Sequence, residues 1–106
     1  MVKMMFMVYR KPDLTREQCC AEWTGDQHMA LVHKLGGLKR YIQNVGTGEQ
    51  PSGAPDGVGE LWFDDAAAMD QMLASTAWDD ASEDSLRFID PTRAYALTVD
   101  ETLRIG

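Results

Sequence analysis

The 106-residue chain is poor in the groups that build metal centres and covalent frameworks. It has two cysteines, Cys19 and Cys20, and two histidines, His28 and His33. Adjacent cysteines project to different faces of a regular element and do not form an ordinary disulfide. There is no second pair, so no zinc-ligand framework exists, and one of the two is expected to pack as a small apolar residue. No apolar run approaches the roughly 20 residues of a membrane span; the longest is Met4–Tyr9. Arg10 and Lys11 follow that run, the reverse of a secretory signal, so a cytoplasmic location is expected. The glycines at 46, 48, 53, 57 and 59 do not form a phosphate-binding fingerprint between a strand and a helix.

Basic residues are scarce in the second half. Residues 41–106 hold three Lys/Arg against thirteen Asp/Glu, whereas residues 1–40 hold seven against four. The total is −7, which argues against nucleic acid and anionic membrane as partners. Asp64, Asp65, Asp70, Asp79, Asp80, Glu83, Asp84 and Asp90 read as a solvated helix face, with a docking surface for a basic partner or a weak cation site as alternatives.

What is present fits one domain over residues 1–106. Residues 2–9 read as a strand buried on both faces. Residues 15–35 read as a helix. Thr15 and Gln18 form a capping-box pattern, and Cys20, Trp23, Gln27, Leu31 and Leu35 lie on one stripe. Thr24-Gly25-Asp26 should kink or divide this helix. Residues 38–47 and 58–63 read as strands, with an exposed Gly/Pro-rich loop between them. Asp64-Asp65 caps a second helix carrying Ala66, Met69, Met72 and Leu73, and another helical piece should run from Trp78 to about Phe88. Residues 93–103 read as the last strand.

The order β-α-β-β-α-β predicts an α+β, ferredoxin-like fold with a four-stranded antiparallel sheet. Two helices cover one sheet face only. Because the first strand is apolar at odd and even positions, the second face also needs cover, and a second copy of the chain is the simplest one. A homodimer joined through its sheet faces is the expectation.

Trp23…His28, then Leu35-Gly36-Gly37-Leu38-Lys39-Arg40-Tyr41-Ile42-Gln43-Asn44, then Asp56-Gly57-Val58-Gly59-Glu60-Leu61-Trp62-Phe63 and Phe88-Ile89-Asp90 resemble the EthD family in composition and order. The resemblance spans about residues 3–100. It implies a dimeric α+β barrel that pairs through its sheets. It also implies chemistry without metal or organic cofactor on a small hydrophobic or aromatic molecule held between sheet and helices. Isomerases, cyclases, decarboxylases and lyases are the related activities, and fold alone does not choose among them.

His28 matches the family's helix histidine. An imidazole titrates near neutral pH and suits proton transfer to or from carbon; the structural alternative is a capping or buried histidine. His33 lies on the polar side. Tyr41 could present its hydroxyl to a substrate carbonyl or enolate, or be a core tyrosine. Tyr9 is a weaker version of the same case. Glu60, in an apolar strand, is either a pocket acid with a raised pKa or half of an ion pair with Arg40 or Lys39, or a dimer contact. Trp23, Trp62, Phe6, Phe63 and Phe88 are core residues of which one or two could wall an aromatic-substrate pocket. Asp26 could orient His28 only if Gly25 breaks the helix, and Arg40 could bind a substrate carboxylate. The leading expectation is a cofactor-free enzyme with His28 and Tyr41 catalytic, and Tyr9, Trp23, Glu60, Trp62 and Phe88 on the substrate. A non-catalytic small-molecule-binding accessory protein is the alternative. A haem protein with His28 as axial ligand is a third.

Overall fold

A computed structural model describes residues 1–106. Eight elements follow one another: β1 (Val2–Val8), α1 (Arg16–Trp23), α2 (Asp26–Val32), β2 (Arg40–Val45), β3 (Gly57–Phe63), α3 (Ala66–Leu73), α4 (Thr76–Ser85) and β4 (Tyr95–Val99). The strands form one sheet in the order β2-β3-β1-β4, with every neighbour antiparallel. This is the ferredoxin-like α+β arrangement, with each of its two helical connections broken in two.

The long helix expected over 15–35 is divided at Gly25. Thr24 caps α1, its hydroxyl donating to the Cys20 carbonyl at 2.8 Å. Gly25 then starts α2 in extended conformation. A side chain there would meet the Ala21 carbonyl oxygen at 2.8 Å, so only glycine lets the two helices adjoin so closely. The break resets the helical register. Gln27 turns to solvent and Leu31 is half-buried, while His28 and Val32 take the inward positions. The apolar stripe therefore continues from Trp23 through His28, Val32 and Leu35. At the other end of α1, the Thr15–Gln18 capping box forms as the sequence suggests. Both cysteines are buried, and burial pushes the Cys19 thiol up to about 12, which leaves it inert.

The last strand is shorter than expected, Tyr95–Val99 rather than 93–103, because pairing with β1 ends at Lys3–Val99. Alternation along the strands sorts the sheet into two faces. Met4, Phe6, Val8, Tyr41, Gly59, Leu61 and Phe63 point to the helices. Lys3, Met5, Met7, Ile42, Glu60, Trp62, Leu97 and Val99 point away. No element of the chain covers this second face, on which Tyr95 and Leu97 are half exposed.

The core on the helix side falls into two clusters. Met4, Val32, Leu35, Leu61, Phe63, Met69 and Met72 form one. Val8, Cys19, Trp23, Phe88 and Ile89 form the other. The methionines at 4, 69 and 72 fill the first cluster and leave the seam between the two clusters open.

Candidate active site

A cleft of about 530 Å³, its open mouth included, lies at that seam. Its walls are mainly apolar and aromatic. Phe6, Gly59 and Leu61 form the sheet side, Trp23 the end of α1, Val32 and Leu35 the α2 side, and Trp78 and Ala81 the α4 side. The polar residues on it are His28, Tyr41, Ser82 and Ser85.

The Trp23 indole lies against β3 because that strand has glycine there. A Cβ at Gly57 would come within 2.6 Å of the indole ring. Trp23 is also the last residue of α1, so its carbonyl has no helical partner. The Gln43 side chain supplies one, donating at 3.0 Å. The same amide nitrogen lies 3.1 Å from the Tyr41 hydroxyl. Since one partner is a carbonyl, this atom must be the –NH₂ group, and it donates to both. Tyr41 is therefore an acceptor toward Gln43 and keeps its own O–H free to donate. Burial pushes the Tyr41 phenol above its ordinary pKa, against the smaller opposing effects of Gln43 and Trp23, so it stays a neutral donor.

His28 is 6 % exposed and stands edge-on to the Phe88 ring, with centroids 5.1 Å apart. Its Nδ1 lies 3.0 Å from Oδ2 of Asp84 on α4. Asp84 is saturated with donors. Arg87 reaches it through Nε at 2.8 Å and Nη2 at 3.1 Å, and Gln27 through its amide at 3.1 Å. Arg87 foremost, and then His28, holds the Asp84 carboxyl down at about 2. A carboxylate only accepts, so the His28 Nδ1 carries a proton and donates it. In the neutral form of the ring the lone pair is then at Nε2. That nitrogen has no protein partner, yet no buried side-chain nitrogen or oxygen lacks one, so Nε2 is open to the cleft. Beyond Asp84 the chain of charges runs through Arg87 to Glu22, 2.6 Å from Nη1.

Of the expected site residues, the fold brings His28, Tyr41 and Trp23 to the cleft. Phe88 does not line it but backs the His28 ring. Tyr9 is elsewhere. It follows β1 beyond the cleft, donates to the Gly53 carbonyl at 3.2 Å, and packs under Arg93 and beside Tyr95. Glu60 and Trp62 are on the opposite sheet face, because both alternate with Leu61. Glu60 accepts from Lys3 at 2.8 Å and from Asn44 at 2.9 Å. Lys3, then Asn44, holds its carboxyl below the usual range, opposite to the raised pKa of a pocket acid. The partner is Lys3, not Arg40 or Lys39. Trp62 lies between the Lys3 ammonium, 4.7 Å away, and the Arg40 guanidinium, 4.9 Å away. Asp26 begins α2 on the solvent side and makes no contact with His28; Asp84 fills that place. No group of three or more His, Cys, Asp or Glu is arranged to hold a metal ion.

Sequence reasoning missed Asp84, Ser82 and Ser85. Trp78, Ser82 and Ser85 are spaced as one helix face, and Asp84 is one turn beyond buried Ala81. That signal was hidden by Asp79, Asp80 and Glu83, which do face solvent.

Comparison with known proteins agrees with this architecture. No curated protein sequence matches the chain. An ethyl tert-butyl ether D family protein from Bacillus halodurans C-125 is 19% identical, with 96% of this chain and 100% of that one covered at a TM-score of 0.73. A protein from Arabidopsis thaliana is 15% identical over 100% of both chains, TM-score 0.75. A dimeric ferredoxin-like protein of unknown function from Jannaschia sp. CCS1 is 14% identical, with 94% and 98% covered, TM-score 0.71. At such identities these structures speak for the fold alone. The model of the EthD domain matches residues 11–92, most of the chain, including both helical connections and every cleft residue except Phe6, and the protein therefore belongs to the EthD family.

Proposed function

We propose that this protein is a cofactor-independent enzyme of the isomerase, cyclase, decarboxylase or lyase type, acting on a small aromatic or enolisable carbonyl compound. The observation that carries the reading is the His28–Asp84 pair at the wall of an otherwise apolar cleft. Asp84 fixes the tautomer that leaves the Nε2 lone pair for the cleft, the arrangement a general base uses.

In this reading His28 Nε2 takes a proton from the carbon beside the substrate carbonyl. The C–H bonding pair becomes the C=C bond of the enolate, and the negative charge goes to the carbonyl oxygen. Tyr41 O–H donates to that oxygen. The imidazolium, held by Asp84, returns the proton to another carbon in an isomerisation. In a cyclisation the enolate carbon bonds to a second carbonyl carbon of the substrate, and the imidazolium protonates the alkoxide formed there. That hydroxyl leaves as water when His28 has removed a further C–H proton and handed it on. Asp84 is a positioning residue. It fixes the ring and favours the protonated form that appears during the step. Trp23, Trp78 and Phe6 bind the flat body of the substrate and exclude water.

The working unit in this reading is a homodimer. The uncovered sheet face carries Met5, Met7, Ile42, Tyr95, Leu97 and Val99 around the Lys3–Glu60 pair, and a second copy would bury it. Relatives described as dimeric and ferredoxin-like support this arrangement.

The test is a thermal-shift screen of flat ketones, lactones and aromatic acids against wild type and His28→Asn, followed by turnover of any hit. Asparagine keeps a donor for Asp84 but has no basic nitrogen. The reading expects ligands that stabilise both proteins and are converted only by wild type. Equal turnover by the variant would refute it. Binding without conversion by either would make the protein a carrier.

A further inference from the structure

The charge layout around the cleft narrows the substrate. None of its thirteen lining residues is Lys or Arg. Arg87, which reaches the carboxylate behind His28, is already committed to Asp84 and Glu22. With His28 neutral, the group Asp84–Arg87–Glu22 holds two carboxylates and one guanidinium, a net charge of −1 directly behind the imidazole. Lys3 and Arg40 are on the far face of the sheet, Lys39 pairs with Asp64, and Arg10 pairs with Asp56. A carboxylate in the cleft would lose its water, find no Lys or Arg on the walls, and lie in front of the two carboxylates behind His28. The polar groups that do reach the cleft are a hydroxyl donor on Tyr41, a lone pair on His28 and the hydroxyls of Ser82 and Ser85. These match one carbonyl, its acidic C–H and neutral hydroxyl groups.

We infer that the site selects uncharged substrates, flat ketones or phenolic ketones, and rejects the corresponding carboxylates. The inference rests on the proton-transfer reading and narrows it. Decarboxylation of a free aromatic acid drops out, and enolisation-driven isomerisation, cyclisation with loss of water and carbon–carbon cleavage remain. It also makes Arg40 a poor candidate for a substrate anchor, since it lies across the sheet.

Two probes of equal heavy-atom number separate the alternatives. In 2-acetylnaphthalene a methyl group stands where 2-naphthoate has its second carboxylate oxygen. Dissociation constants for both are measured by ligand-observed NMR on the wild-type protein at pH 8. The expected result is at least tenfold tighter binding of the ketone, with the gap reduced in Ser82→Lys, which brings an ammonium to the cleft wall. Equal or tighter binding of the naphthoate by wild type overturns the inference, as does failure of the ketone to bind at its solubility limit. The same spectra follow exchange of the ketone's methyl protons for deuterium. Tight ketone binding without exchange would leave the charge selection standing and defeat the proton-transfer reading instead.

Discussion

Replacing Asp84 by asparagine is the most informative perturbation of this site. The carboxylate accepts four hydrogen bonds, two from Arg87, one from Gln27 and one from His28. Asparagine has the same shape but a single acceptor oxygen and no charge. It cannot serve Arg87 and His28 together, and its –NH₂ would face one of them donor to donor. Charge-assisted bonds are each worth about 1.5–3 kcal/mol. Arg87 is a third exposed and retains Glu22, so part of the loss is recovered in water. A net destabilisation of about 2 kcal/mol follows, and for a domain of this size about 4–8 °C in Tm per kcal/mol. The chemical effect is separate. Without an anion at Nδ1, the proton can move to Nε2, and the lone pair leaves the cleft. Proton transfer to a bound ketone should fall about 100-fold, toward the low end of what a positioned general base contributes. The assay joins NMR exchange rates with ¹⁵N shifts of His28, measured well below the Tm of the variant. Wild type should show a protonated Nδ1 and a bare Nε2 at high pH, and the variant a mixture. An exchange rate within twofold of wild type, with the tautomer unchanged, would refute the reasoning.

Further predictions follow from the same contacts. The Asp84 carboxyl lies at about 2 in the folded chain against an ordinary 3.8. A depressed carboxyl stabilises fully above its unfolded pKa and loses that contribution as pH falls through its folded one, so about 2 kcal/mol should disappear between pH 4 and pH 2. Acid unfolding followed by circular dichroism should show a shallower decline in Asp84→Asn than in wild type. Gly59→Val fills the cleft, because a Cβ there already meets Trp23 at 3.4 Å and Tyr41 at 3.8 Å. Ketone binding should be lost while stability falls by about 1–3 kcal/mol. Tyr41→Phe removes the free O–H without changing the ring, and should lower the exchange rate more than the affinity. Leu97→Glu puts a charge on the uncovered sheet face, and light scattering should report a monomer where wild type is a dimer.

The fold could be read from the sequence because its signals are local and repeated. The apolar β1 run, the Thr15–Gln18 capping box and the Gly/Pro loop before Gly57 each state one element, and the order of elements states the topology. Gly25 even marked where the first helix divides. The consequence of that break was not readable, because a register shift depends on how α2 docks. It moved Gln27 outward and brought His28 into the stripe. Of the candidate residues, Trp23 and Tyr41 reach the cleft by the faces of their elements, and His28, singled out by the family resemblance, reaches it through the break at Gly25. Strand alternation could have separated Glu60 and Trp62 from Leu61. The helix-covered face, however, is chosen by Leu61 and Phe63 packing in one cluster with Met4, Val32 and Leu35, which come from other parts of the chain. Asp84 is 56 residues from His28, and nothing local distinguishes it from the solvated acids beside it.

The central claim is that Nε2 of His28 moves a proton on a molecule held in the cleft. The most direct measurement is the rate at which the methyl protons of 2-acetylnaphthalene exchange in deuterium oxide with wild type and with folded His28→Asn. The account predicts exchange well above buffer for wild type and at the buffer rate for the variant, with the ketone bound by both. Exchange at equal rates by the two proteins would contradict it.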